Sequence, residues 1–110
     1  MTEKILMVAA ILALGTAGRA RAQQPTDAGS LYARTCASCH GAKGTPSPGM
    51  ARGMGIPDLA AASMAAVTDS ALSDAVLNGK GRTMPAYKSR LTSAQIAALV
   101  AYIRTFSRRQ

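Results

Sequence analysis

The sequence predicts an all-α fold, with about three main helices and long loops wrapped around a site. Three observations carry this. Apolar residues recur at helical spacing in three separate stretches. No stretch alternates apolar and polar residues as a half-buried strand would. The two longest connections are rich in glycine and proline, so the chain between the helices wraps rather than pairs. At 110 residues the chain holds one small domain at most, with no internal repeat and no low-complexity tract.

The first element, residues 1–22, is expected to be a signal peptide. Lys4 and the amino terminus supply positive charge, opposed by Glu3. Residues 5–14 (ILMVAAILAL) are unbroken apolar sequence, and Ala20-Arg21-Ala22 before Gln23 is a small-x-small cleavage pattern. The apolar run is far shorter than the roughly 20 residues of a spanning helix; an uncleaved anchor is the alternative. The domain proper is then residues 23–110, and losing Lys4, Arg19, Arg21 and Glu3 takes the formal net charge from +8 to +6. Nothing later in the chain is long and apolar enough to span, so stable membrane insertion after cleavage is not expected.

The first helix is predicted over residues 26–40 (TDAGSLYARTCASCH). Thr26 or Asp27 offers a cap, Leu31, Tyr32, Thr35 and Cys36 form the stripe, and Gly41 ends it. Residues 41–57 hold five glycines and three of the five prolines and are predicted as a loop. An alanine-rich stretch after Leu59 is expected to contain a short helical piece. Residues 68–78 (TDSALSDAVLN) predict a second helix, with Ala71, Leu72, Ala75 and Val76 as its apolar stripe and Asn78-Gly79 as its stop. Residues 80–90 form another loop. The last helix has the clearest start: Thr92-Ser93-Ala94-Gln95 has capping-box spacing, and Leu91 with Ile96 can staple it. Ile96, Leu99, Val100, Ile103 and Phe106 then repeat along one face.

The helices lack bulk for a core. There is one Phe, three Tyr and no Trp, and much of the remaining apolar content is alanine, which buries little area. Something besides side chains is expected to fill the middle. The stretch CASCHG, residues 36–41, holds both cysteines, Cys36 and Cys39, and the only histidine, His40. A thioredoxin-like thiol pair needs a strand–helix setting that this chain does not offer. A structural zinc site needs four ligands, and with only two cysteines and one histidine in the chain zinc would require a carboxylate or a second chain. The third reading is C-x-x-C-H, the attachment signal of a c-type haem. Two cysteines three apart on one helical turn can form thioethers to the two vinyl groups of a porphyrin, with the adjacent histidine directed at the iron. Export agrees, because an unmodified vicinal thiol pair tends to oxidise outside the cytoplasm.

A haem iron with one histidine leaves its other face open. Met50, Met54, Met64 and Met84 follow the histidine in sequence. A thioether is a soft ligand suited to an electron-transfer iron, although methionine is also ordinary core filler. Met84 is the favoured candidate, because it sits between two helices in Gly81-Arg82-Thr83-Met84-Pro85, where Pro85 stiffens the backbone. Met54 and Met50, in the glycine-rich loop, are the alternatives; Met64 reads as filler.

Taken in order, CASCHG, NGKGRTMPAY (residues 78–87) and LTSAQIAALVAYIRTF (residues 91–106) resemble a small class I c-type cytochrome. The likeness covers nearly all of residues 23–110. It implies a monohaem cytochrome c-like fold, with one covalent haem c per chain and no enzyme chemistry of its own. Carried over by position, it implies that Cys36 and Cys39 are the thioether cysteines, His40 the proximal iron ligand and Met84 the distal one. It also implies that the first and last helices cross through Tyr32, Tyr102 and a small residue, which falls on Ala28 with Gly29 one place late. A proline carbonyl that orients the histidine falls on Pro57, with Pro46 and Pro48 as alternatives.

The function expected on this reading is a periplasmic electron carrier. Lys43, Arg52, Lys80, Arg82 and Lys88 lie in loops that should border the haem. They would steer the protein to redox partners with acidic docking faces, such as an oxidase, a dehydrogenase or a respiratory complex; an ordinary solvated basic surface is the plainer reading. Nucleic acid is not expected as a partner in that compartment. Two rivals stand beside the carrier: a haem subunit tied to one dehydrogenase or oxidase, and an open-site haem enzyme or gas sensor.

Overall fold

A computed structural model of the chain describes residues 27–108. The expected signal peptide lies outside the described residues. Helices follow in the order α1 (Ala28–Thr35), α2 (Ala37–His40), α3 (Pro48–Met54), a 3-10 helix (Ala62–Ala66), α4 (Asp69–Asn78) and α5 (Ser93–Arg108). Among the described residues the only strand-like pairing is an isolated bridge between Lys80 and Met84. The fold is all-α, as the periodicity predicts, with α1, α4 and α5 as its main helices.

α5 is the spine. Its capping box is closed in both directions: the Thr92 N–H donates to Gln95 Oε1 at 2.9 Å, and the Gln95 N–H to Thr92 Oγ1 at 3.1 Å. Ile96, Leu99, Val100, Ile103 and Phe106 are all buried. α1, α4 and the 3-10 helix pack against it. At the crossing of α1 with α5, the rings of Tyr32, Tyr102 and Phe106 meet in tilted and edge-on contacts, with centroids 5.1–5.4 Å apart. Gly29 lies at this crossing, where a Cβ on it would sit 3.5 Å from the Tyr102 ring. The helix starts at Ala28 with Asp27 as its cap, and that phase turns Gly29 toward α5.

The predicted first helix is in fact two. The N–H groups of Cys39 and His40 both bond the Cys36 carbonyl, at 3.2 and 2.9 Å, and α1 stops at Thr35 before α2 begins at Ala37. The glycine-rich loop also differs from expectation, because it contains α3. Ser47 caps that helix through the Met50 N–H, Pro48 opens it and Gly55 (φ +65°) ends it. No residue of α3 is buried, so there was no apolar stripe for periodicity to detect. The alanine-rich piece forms the 3-10 helix.

Arg104 of α5 holds the 3-10 segment in place. Its guanidinium donates to the Met64 carbonyl at 2.7 Å, to the Val67 carbonyl, and to Asp69 at 2.8 Å. Asp69 is 74% exposed and Arg104 only 18%, so the ion pair contributes little and the two carbonyl bonds contribute most. Arg104→Ala is expected to lower the unfolding free energy by about 2–3 kcal/mol, and Asp69→Ala by under about 1 kcal/mol. Urea unfolding of the two variants beside wild type checks the ranking; equal losses would contradict it.

Candidate haem site

Between α2, the Met54–Leu59 segment, the 3-10 helix, α4 and the Lys80–Met84 turn lies a cavity of about 520 Å³. Leu59, Leu72, Val76 and Ile103 belong to the core and form part of its wall. The predicted stripe of α4 is thereby divided. Leu72 and Val76 are buried, whereas Ala71 and Ala75 give the cavity room that larger side chains would take. A smaller adjoining pocket of about 50 Å³ shares Cys36, His40 and Met84 with it and adds Cys39 and Tyr87. The two cysteines, the histidine and Met84 are thus gathered around one space. Met54 and Met64 line the larger cavity as well, and Met50 does not.

The cysteine turn is fixed from behind. The Tyr32 hydroxyl donates to the Gly41 carbonyl at 2.8 Å, and the Gly41 N–H bonds the Ala37 carbonyl at 2.8 Å. The two cysteines are not joined to each other in a disulfide. Burial pushes the Cys36 thiol up to about 11, which keeps it neutral and is the reverse of the lowered value of a redox-active thiolate. Among the described residues no group of three His, Cys, Asp or Glu side chains is placed to hold a bare metal ion.

His40 ends α2, and burial pushes its pKa down, which favours the neutral, ligating form. Its Nδ1 is buried without a hydrogen bond. The Pro57 carbonyl opposes the downward shift in part, and Pro57 lines the cavity together with His40 whereas Pro46 and Pro48 do not. Pro57 is held by its neighbours. The Leu59 N–H bonds the Gly44 carbonyl at 2.8 Å, and Asp58 Oδ1 accepts from Thr45 Oγ1 at 3.0 Å and from the Ala60 N–H at 2.9 Å. Gly44 (φ +86°) has to be glycine, since a Cβ there would lie 2.7 Å from the Phe106 ring.

Met84 closes a tight turn in which Lys80 and Met84 exchange both backbone hydrogen bonds, at 3.0 and 3.2 Å. Gly79 (φ +74°) permits the entry, because a Cβ there would meet the Met84 carbonyl oxygen at 2.4 Å. After Pro85 the chain returns to α4, with the Tyr87 N–H on the Val76 carbonyl at 2.9 Å and the Lys88 N–H on the Leu77 carbonyl at 3.2 Å. Sequence reasoning did not single out Tyr87, Thr45 or Asp58. Tyr87 stands three places after Met84 in MPAY, and that proximity was the available signal.

The space suits a flat apolar macrocycle. It is large, mainly apolar-walled and open at one side, with both cysteine sulfurs, an imidazole and a thioether around it, and a buried imidazole nitrogen beside it that no protein group hydrogen-bonds.

Residues 23–103 match the family described as cytochrome c oxidase, cbb3-type, subunit III. The chain is 38% identical over 77 residues to a protein of Azospirillum sp. (strain B510) named cbb3-type cytochrome c oxidase subunit CcoP, a match that covers 67% of this chain and 26% of that protein. The chain therefore spans about a quarter of the length of that relative. Among solved structures it is similar to the KustC0563 c-type cytochrome, with a TM-score of 0.67 and 31% identity, covering 73% of this chain and 96% of that one. With a matching fold, a haem-shaped site and a family match over most of its length, the chain belongs to the cbb3-type cytochrome c oxidase subunit III family and is a small c-type cytochrome, with covalent haem c and a role in electron transfer.

Proposed function

We propose that the chain is a periplasmic single-electron carrier whose haem is held by Cys36 and Cys39 and whose iron is ligated by His40 and Met84. The observation that carries this reading is that His40 and Met84, from opposite ends of the fold's long middle segment, line one apolar cavity together with Cys36. Haem bound there supplies a ferric/ferrous couple. The chain's own part is positional. The cysteines fix the group covalently, and the Pro57 carbonyl orients His40 through its other ring nitrogen. The Lys80–Met84 turn presents the thioether from a backbone already closed on itself, and the apolar walls keep water away. Lys43, Arg52, Lys80, Arg82 and Lys88 are all exposed, which supports docking on acidic partner faces.

A dedicated-subunit reading has its own support in the CcoP relative, which is named as part of an oxidase. Among the described residues no helix is long and apolar enough to cross a membrane. A domain fixed to an oxidase would relay electrons by the same chemistry, and co-purification with a terminal oxidase from membranes separates the two.

The carrier reading is tested by the absorption spectrum of protein matured in a bacterial periplasm. The ferric form is expected to show the weak far-red sulfur-to-iron band and to lose it on reduction. A high-spin ferric spectrum without that band would remove Met84 from the iron and bring an open-site sensor or enzyme forward.

A further inference from the structure

The Tyr87 hydroxyl has no part in the ligand set, yet it joins the two halves of the site. It donates to the Thr35 carbonyl at 3.3 Å, across 52 residues of sequence. The acceptor is available because of the helix break. In a continuous helix the Thr35 carbonyl would receive the Cys39 N–H, but that N–H turns to the Cys36 carbonyl instead. Thr35 immediately precedes Cys36, and Tyr87 follows Met84 by three residues, so one bond connects the attachment turn to the methionine turn.

The ring is half-buried and lines the small pocket with Cys39, His40, Met84 and Pro85. The Arg90 guanidinium lies 5.3 Å from its centroid. The backbone of residue 87 is anchored independently. Its N–H bonds Val76, and its carbonyl accepts from the Arg90 and Leu91 N–H groups, both at 2.9 Å. Removing the hydroxyl alone therefore leaves the ring and the turn in place.

We propose that the Tyr87 hydroxyl is a latch: by bonding the Thr35 carbonyl it ties the Met84 turn to the covalently anchored cysteine turn and slows departure of Met84 from the iron. Tyr87 is a positioning residue on this account, and the account rests on the reading of Met84 as distal ligand. With Thr35 held beside a thioether, the methionine turn cannot swing away without breaking this bond. A neutral hydrogen bond is worth a modest factor, so its loss should raise the open population about three- to ten-fold.

The experiment follows imidazole binding to ferric holo-protein by stopped flow, in wild type, Tyr87→Phe, Met84→Ala and the double variant. Imidazole is a small neutral probe that enters only when the distal position opens. The latch predicts slow binding by wild type and about three- to ten-fold faster binding by Tyr87→Phe. It also predicts no further gain from Tyr87→Phe once Met84 is gone, since there is then nothing to release. A merely structural tyrosine would accelerate binding in both backgrounds, and that outcome overturns the latch. Slow wild type with an unchanged Tyr87→Phe overturns the latch alone. Wild type as fast as Met84→Ala overturns the Met84 reading and the latch with it.

Discussion

Cys36→Ala/Cys39→Ala produces protein without covalent haem. Expressed in a periplasm that attaches c-type haem, the double variant is expected to give no haem-staining band in a denaturing gel where wild type gives a strong one. The expected effect is all-or-none, because no other thiol in the chain can form a thioether. Folding is expected to fail with attachment. The largest side chains fully shut off from solvent are Tyr32 and Leu99 alone, and the helices meet around a cavity of about 520 Å³. Without a group in that space Leu59, Leu72, Val76 and Ile103 lose packing partners on one side. A ligand bound only by the native state adds its binding energy to stability. Near-ultraviolet circular dichroism provides the check: an ordered spectrum from the apo-protein would show that the side chains suffice.

The second large effect is expected at Met84. Met84→Ala should open the distal position to an added ligand. A protein ligand that occupies the iron admits competitors only from a minor open state, populated at about 0.1–10%. Its removal should therefore accelerate carbon monoxide binding to the ferrous protein by roughly ten- to a thousand-fold. The reduction potential should fall at the same time, because the soft thioether favours ferrous iron. Flash photolysis and a redox titration of one preparation read both. Rapid carbon monoxide binding by wild type, unchanged in the variant, would place the distal ligand elsewhere; Met54 and Met64, which line the same cavity, would be next to test.

Much of this could be read before any coordinates. Ile96, Leu99, Val100, Ile103 and Phe106 were legible because a core-facing helix writes its burial into a 3.6-residue period. The capping box of Thr92 and Gln95 was legible because it is a local rule of residue type and spacing. α3 was not, since it buries nothing and its glycines outweighed the Ser47, Pro48 and Gly55 signals that bound it. The break at Cys36 was also hidden. It is a choice of acceptor for the Cys39 N–H, and side-chain pattern does not record such a choice. At the site, the gathering of Cys36, His40 and Met84 followed from motif order, whereas the supporting contacts of Thr45, Asp58 and Tyr87 depend on pairings between distant segments.

The hydrogen bonds from the Leu59 N–H to Gly44 and from Thr45 to Asp58 pinch the chain together at the base of the α3 excursion. Residues 47–53, beyond that neck, hang from it with no buried side chain. Closing a longer excursion costs only about 0.6 kcal/mol per doubling of length. The neck therefore uncouples sequence length from site geometry. Insertions and deletions in this module can be accommodated while His40 and Pro57 keep their register.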